Sequence, residues 1–186
     1  MINNKKERLH RSAAYLADHL GLHATSMKTI ARDANIAVGT IYQFYPSKDL
    51  LYGQLLVDYY KDLTTSLSAL TADGDFNILI STIYTGLTEF MKKDKTRFKL
   101  FLQLRELNNY VSLAADAQHE FESALAQRME VGKTQLLLKN FSNKGAGILF
   151  FDLLCSHVKF HFEHTHDQAW NSPELFLNAA IDALFK

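Results

Sequence analysis

The sequence predicts an all-α protein, with three short helices at its N-terminus and a larger helical domain after them. The 186 residues include only two prolines and eight glycines, too few for the frequent turns of a β-sandwich. Apolar residues also recur at helical spacing along most of the chain. We expect a first domain over residues 1–46 and a second over residues 47–186.

Charge and cysteine content restrict the setting in which the protein works. Residues 1–52 hold seven Lys and Arg against four acidic residues, and the remainder has the opposite balance. A basic N-terminal region suggests that this part faces a polyanion. The single Cys155 fits a reducing cytoplasm, and no run of about 18 apolar residues predicts a membrane span. We therefore expect a cytoplasmic protein without membrane contact and without a signal peptide.

The first two helices have recognisable ends. The first should cover residues 5–20, because Gly21 supplies the left-handed conformation that stops a helix. Thr25 or Ser26 can cap a second, short helix. Asn35 then interrupts it, since Asn tolerates the positive φ that a tight turn requires.

The third helix should run from Val38 to Tyr45, where Pro46 ends it. Ser47 caps a fourth helix that continues to about Leu70. Six apolar or aromatic side chains should pack the second and third helices against the first: Ile30, Ala31, Ala34, Ile36, Ile41 and Tyr45. Two short helices joined by a three-residue turn form a helix-turn-helix, whose second helix can enter the major groove of DNA.

Beyond a linker at residues 71–75 we expect four or five further helices. Ser142 or Asn143 should start a long one, and Ser172 followed by Pro173 should start the last. The last two helices are apolar nearly all the way round, so each must be covered on every side. A second subunit is the natural cover, and we predict a homodimer through these helices, at positions such as Leu177, Ile181 and Phe185. The alternative is a central helix buried within one subunit.

The segment from Gly21 to Leu51 resembles the TetR family of transcriptional regulators. The resemblance covers about residues 5–55. It rests on the following residues, in order and at the family's spacing: Gly21, Thr25-Ser26, Ile30-Ala31, Ala34, Gly39-Thr40-Ile41-Tyr42, Tyr45-Pro46-Ser47-Lys48 and Leu51. It implies sequence-specific binding of double-stranded operator DNA, with repression as the function.

The resemblance also assigns DNA contacts to the open face of the third helix and its flanks. Base edges, or the backbone beside them, are implied for Val38, Gly39, Thr40 and Gln43. Phosphates are implied for Ser26, Tyr42 and Lys48, and either a phosphate or a guanine for Lys28. Gln43 has the amide geometry to bond adenine, and Val38 can touch a thymine methyl. Phe44 stands where the family often has a polar aromatic, so contact with DNA and packing within the domain both remain open for it.

In that family the C-terminal helices form the dimer and enclose a ligand pocket, and the resemblance implies both here. The segment from Asp75 to Arg128 carries more large apolar side chains than a simple bundle seam needs. We expect a pocket that takes a small apolar or amphipathic effector and releases the protein from a palindromic operator. Its candidate lining is Phe90, Phe98, Phe101, Leu102, Arg105 and Phe121, with Arg105 as the anion partner. The alternative is that these side chains fill the core and leave no pocket.

Two rival functions remain open at this stage. One is a DNA-organising or protein-partnered factor without an inducer. The other is a metal-dependent helical enzyme, for which His157, His161 and His164 at i, i+4 and i+7 could share one helix face and bind Zn²⁺ or Ni²⁺. A polar stripe at the end of a helix explains the same spacing. We expect no cofactor, no catalytic residue and no resident metal.

Overall fold

The computed structural model describes residues 2–72, 75–135, 137–164 and 172–184, and these ranges form ten helices. In chain order the helices are α1 (Ile2–Leu20), α2 (Met27–Asp33), α3 (Val38–Phe44), α4 (Lys48–Ser68), α5 (Phe76–Lys92), α6 (Lys95–Leu104), α7 (Asn108–Leu113), α8 (Ala115–Thr134), α9 (Asn143–Glu163) and α10 (Pro173–Leu184). The all-α prediction is confirmed. The expectation of four or five helices after the linker is too low, because six follow it in the described ranges.

Packing divides the chain into two compact units. Unit 1 contains the residues up to Tyr60 together with Asp94–Ala115, and unit 2 contains Lys61–Lys93 together with residues from Asp116 onward. The division of the chain into a DNA-binding domain over 1–46 and a second domain over 47–186 stays a prediction about function. Within the described ranges no helix is both long and apolar enough to cross a membrane.

The core of unit 1 forms where α1 meets α2 and α6, and α2 meets α3. Five of the six side chains expected to pack the short helices are buried, and Ile36 is half-buried. Leu9, Ile41 and Leu51 are fully inaccessible to solvent. The sequence pattern therefore predicted most of this core correctly, because α2 buries Ile30 and Ala31 and α3 buries Ile41.

The two left-handed residues in the described ranges fall where the sequence predicts them. Gly21 follows α1 with a φ of 84°, and Asn35 follows α2 with a φ of 52°. The Asn35 amide donates to the Arg32 carbonyl at 3.1 Å, and the Ile36 amide donates to the Ala31 carbonyl at 2.9 Å. This pair of bonds is a Schellman motif, which satisfies the last carbonyls of α2 and turns the chain directly into α3.

Unit 2 is built on α5, α9 and α10, which pack against one another, and on α8. Ile83, Phe150 and Leu154 are among its fully buried side chains. Gly132 on α8 lies against the buried ring of Phe76, so that a Cβ at this glycine would stand 2.5 Å from a ring carbon. The two helices can approach this closely only because residue 132 has no side chain.

Side chains cap most of the helix starts that the sequence indicates. The Leu50 amide donates to the Ser47 hydroxyl at 3.2 Å, and the Gly145 amide donates to the Ser142 hydroxyl at 3.0 Å. Ser142 is thus the residue that starts the long helix, and α10 begins at Pro173 as predicted. Asp94 caps α6 in the same way, accepting from the Arg97 amide at 2.9 Å.

Candidate nucleic-acid interface

The face of α3 that points away from the core carries four of the expected DNA contacts. Val38, Gly39, Tyr42 and Gln43 are exposed, whereas Ile41 on the opposite side is fully buried. Thr40 is half-buried between the two faces. A helix of seven residues is about 10 Å long, and its exposed face matches a major groove roughly 12 Å wide.

Ser26 is exposed, and its side chain caps the start of α2. Its hydroxyl accepts from the Thr29 amide at 3.1 Å, and the Ser26 amide donates to the Thr29 hydroxyl at 3.2 Å. This reciprocal pair is a capping box with Thr in place of the usual Glu or Gln. The Ser26 and Thr29 hydroxyls are also hydrogen-bonded to each other. A phosphate contact by Ser26 would use the same Ser26 hydroxyl that caps α2.

Lys48 serves the backbone of the loop between α1 and α2. Its ammonium donates to the carbonyls of Leu22 at 3.0 Å and Thr25 at 3.1 Å, with the His23 carbonyl at 3.5 Å. These carbonyls have left α1 and have not joined α2, so the ammonium satisfies them in place of helix bonds. The geometry thus gives Lys48 a structural role, and its phosphate contact stays a prediction. Lys28 is exposed on α2, where its ammonium is accessible.

Phe44 is half-buried at the end of α3, and its ring lies beside α1. The Lys6 ammonium stands 5.7 Å from the centre of the Phe44 ring, within the range of a cation–π contact. This contact favours the packing interpretation of Phe44. It also places the positive charge of Lys6 next to α3. Lys6 belongs to the basic N-terminal region, but the TetR resemblance assigns it no DNA contact.

A hydrogen bond joins α1 to the end of α3 on the inner side of this surface. His10 Nε2 lies 2.5 Å from the Tyr45 hydroxyl, and His10 Nδ1 lies 3.7 Å from the Asp58 carboxylate on α4. Burial lowers the pKa of His10, with Arg97 and Lys6 acting in the same direction and Asp58 and Glu7 opposing them. Burial also raises the pKa of Tyr45 to about 12. The neutral His10 ring therefore accepts a hydrogen bond from the Tyr45 hydroxyl at Nε2 when its own proton is on Nδ1, towards Asp58.

The six candidate ligand-binding residues fall in different units. Phe98, Phe101, Leu102 and Arg105 belong to unit 1, whereas Phe90 and Phe121 belong to unit 2. Phe98, Phe101 and Phe121 are fully buried. The Arg105 guanidinium lies 5.5 Å from the centre of the Phe101 ring. Of the six, only Phe101 lines a described cavity within one unit, so the pocket over this set stays a prediction.

The histidines of α9 have different surroundings from one another. His157 is fully buried, with Nδ1 2.6 Å from the Tyr84 hydroxyl and its ring stacked on Phe176 at 4.6 Å. His164 is exposed at the end of the helix. Among the described residues no three His, Cys, Asp or Glu side chains come close enough to hold a metal ion, which gives the hypothesis of a site at His157, His161 and His164 no support.

The C-terminal helices leave apolar side chains uncovered. On α10, Leu175 is 46 % exposed and Ala179 and Ala183 lie on the same exposed face, while Leu177 and Ile181 are half-buried. Leu149 on α9 is also exposed. Phe185, the third interface position that the sequence suggested, lies outside the described residues. These exposed apolar positions are compatible with cover by a second subunit, which stays a prediction.

Comparison with protein families finds a match for the N-terminal helices. Residues 10–55 match the family described as "Bacterial regulatory proteins, tetR family". The matched residues extend from α1 through the first turns of α4 and include the whole exposed face of α3. The N-terminal helices of this chain are therefore similar to those of the tetR family over residues 10–55, about a quarter of the chain.

The individual proteins that this chain matches are distant from it in sequence, and the solved structures among them are similar to it in fold. The chain is 24 % identical over 105 residues to the uncharacterized HTH-type transcriptional regulator YhgD of Bacillus subtilis, a match that spans 56 % of this chain and 55 % of YhgD. A putative tetR family transcription regulator from Shewanella sp. PV-4 is similar over 98 % of both chains, with a TM-score of 0.83 and 21 % identity. FadR from Bacillus subtilis, solved in complex with stearoyl-CoA, has a TM-score of 0.79 at 13 % identity over 94 % of this chain and 97 % of FadR.

Proposed function

We propose that this protein is a sequence-specific DNA-binding repressor that reads the major groove with α3. The observation that carries the proposal is the exposed face of α3, where an amide, a phenol and a glycine stand together within the tetR-family region. Gln43 is suited to pair with the N6 and N7 atoms of adenine, and Gly39 leaves room for a DNA backbone or base edge. Tyr42 and Lys28 are suited to phosphate contacts, which fix the register without reading sequence.

The protein acts, in this proposal, as a homodimer on a palindromic operator. One α3 covers only a few base pairs, so that two copies on successive major grooves are needed for a specific site. The uncovered apolar faces of α9 and α10 provide the surface through which two copies associate. In a two-fold pair the same patch of each copy contacts the other copy, so this surface must be complementary to itself.

A small apolar or amphipathic effector relieves repression in the same proposal. The named FadR structure contains stearoyl-CoA, an amphipathic ligand, in a protein of the same fold. Differential binding of the effector to the DNA-free conformation needs a coupling of only about 1–3 kcal/mol to release DNA. Operator affinity in the presence and absence of candidate compounds distinguishes this protein from a DNA-organising factor without an inducer.

Replacement of Gln43 by Ala tests the assignment of α3 as the reading helix. The operator is first selected from random duplexes with the wild-type protein, and binding is then measured on that site and on single-base variants of it. We expect Gln43→Ala to lose about 1–3 kcal/mol on the selected site and to lose discrimination at one base step per half-site. Gln103→Ala, an exposed amide on α6, is the matched control and should bind as the wild type does. Unchanged discrimination in Gln43→Ala would show that α3 does not read sequence through this residue.

A further inference from the structure

Unit 1 contains a cavity that the sequence pattern does not predict. It lies between α1, α4 and α6 and has a volume of about 560 Å³. Cavities that bind small molecules typically measure about 300–1,000 Å³. All of its lining residues belong to unit 1, the unit that also contains α3.

The floor of the cavity is apolar and comes from all three helices. It consists of Ala14 from α1, Leu55 and Tyr59 from α4, and Leu100, Phe101 and Leu104 from α6. The Tyr59 and Phe101 rings are stacked with their centres 4.3 Å apart and their planes 16° from parallel. Arg97 lies over the Tyr59 ring and Arg105 lies over the Phe101 ring, so the stacked pair offers the edges of its rings, flanked by leucines, to the apolar body of a ligand.

The rim of the cavity carries two arginines, Arg11 and Arg97, beside two carboxylates. The Arg97 guanidinium lies 5.1 Å from the centre of the Tyr59 ring, so its charge stands at the edge of the apolar floor. Of the two rim carboxylates, Asp94 already accepts from the Arg97 amide as the cap of α6. Glu7 is exposed one helical turn before Arg11 on α1, and both residues line the cavity. A guanidinium at the border of apolar surface is the usual partner of a carboxylate, which it can bind through two parallel hydrogen bonds.

One residue of the rim connects the cavity directly to the reading helix. His10 lines the cavity, and its Nε2 lies 2.5 Å from the hydroxyl of Tyr45, the residue that ends α3. The buried Tyr45 side chain does not line the cavity. A ligand that displaces His10 therefore changes a hydrogen bond to the end of α3 without touching α3 itself.

We propose that this cavity binds a small organic carboxylate, whose apolar body lies on the Tyr59–Phe101 floor and whose carboxylate pairs with Arg97. Occupancy is transmitted to α3 through His10 and Tyr45 and lowers the affinity for DNA. The binding step stands on the geometry of unit 1 alone, whereas the effect on DNA rests on the proposed function.

Calorimetric titration with decanoate tests the binding step. The intact wild-type protein is compared with Arg97→Gln, which removes the anion partner, and with Ala14→Leu, which fills the floor from α1. We expect either substitution to weaken decanoate binding at least about tenfold, by loss of the ion pair or of the space. Lys95→Gln, an exposed residue on the same helix as Arg97, is the matched control and should bind decanoate as the wild type does. Decylammonium, with the same chain and the opposite charge, should not bind.

The second arm measures the affinity for the selected operator with and without decanoate. We expect decanoate to lower the wild-type affinity at least about fivefold. Tyr45→Phe keeps the ring but removes the hydroxyl that is hydrogen-bonded to His10. This variant should bind decanoate as the wild type does, but decanoate should no longer lower its affinity for the operator.

The outcomes of the two arms separate the binding site from the function. Absence of decanoate binding, equal binding by Arg97→Gln, Ala14→Leu and the wild type, or equal binding of decylammonium would overturn the proposed site. A response to decanoate in Tyr45→Phe equal to that of the wild type would overturn the route through His10. A protein that binds decanoate in this cavity but prefers no duplex would contradict the proposed function and leave the binding site standing.

Discussion

Gly39 is the residue at which we expect folding and DNA binding to make opposite demands. A Cβ built at this position meets no protein atom within 4 Å. Alanine also favours a helix over glycine by about 1 kcal/mol. We therefore expect Gly39→Ala to raise the free energy of unfolding by about 0.5–1 kcal/mol while weakening operator binding, because the new methyl group occupies the space left for DNA. Urea unfolding and fluorescence anisotropy measure the two effects.

Gly132→Ala is the matched substitution, since its helix is equally regular but its surroundings are full. The new Cβ would stand 2.5 Å from the buried Phe76 ring, so unfolding should become easier by about 1–3 kcal/mol. If Gly39→Ala bound the operator as tightly as the wild type, the close approach of α3 to DNA would be wrong.

His157 makes the stability of unit 2 depend on pH. Burial lowers its pKa to about 4, and Lys92 and His161 act in the same direction. In the unfolded chain the ring takes up its proton near pH 6.5, so the unfolded state binds more protons between pH 6.5 and 4. The stabilising contribution of the neutral ring is therefore complete above pH 6.5 and declines as the pH falls towards 4, by up to about 3 kcal/mol.

Urea unfolding at a series of pH values between 7 and 4.5 measures this dependence. His157→Gln should flatten the decline in the free energy of unfolding. His119→Gln, an exposed histidine on α8, should leave the slope unchanged. Equal slopes in His157→Gln and the wild type would exclude His157 as the source of the pH dependence.

At the scale of helices and turns, local chemistry could be predicted closely from the sequence. The boundary residues Gly21, Asn35, Pro46 and Ser142 each act through an effect on their own backbone or on one amide nearby, and the structure has them where the pattern places them. The short helix α7 was missed. It has six residues, and Leu107 at its start provides no side-chain cap, so neither periodicity nor capping reveals it.

Lys48 shows the limit of reading a motif by position. A lysine that follows Pro46 and Ser47 resembles a phosphate contact in the TetR pattern, and its sequence neighbours give no other partner. The structure brings the loop carbonyls of Leu22 and Thr25 to within 3.1 Å of its ammonium across more than twenty residues. Contacts at that separation depend on how α1 and α4 pack, which local sequence does not determine.

The uncovered faces of α9 and α10 give a prediction about assembly. A glutamate at Leu175 would carry a charge into any interface that covers α10, at a cost of about 3 kcal/mol, or roughly a hundredfold in the dissociation constant of the dimer. Leu20→Glu introduces the same charge at an exposed leucine at the end of α1 and should leave the dimer intact. Sedimentation velocity distinguishes the two variants. A Leu175→Glu protein that stays as dimeric as the wild type would place the interface elsewhere.

At the scale of the whole molecule, the sequence predicted the fold class and the exposed face of α3 better than it predicted cavities. The exposed face of α3 follows from periodicity within seven residues. The cavity in unit 1, by contrast, combines residues from α1, α4 and α6 that are up to almost a hundred positions apart. The candidate ligand residues were chosen for being large and apolar, which also describes core residues such as Phe98 and Phe121. The size of a side chain does not distinguish a residue that lines a cavity from one that packs in the core.

The ratio of affinities for the selected operator and for a scrambled duplex of equal length tests sequence-specific binding most directly. Anisotropy titrations of the wild-type protein at several salt concentrations give both affinities. We expect the selected operator to bind at least about 10³-fold more tightly near physiological salt. With about six phosphates contacted by a dimer, the logarithm of the binding constant should fall with the logarithm of salt concentration at a slope of roughly −5. Equal affinity for the two duplexes at every salt concentration would contradict the account.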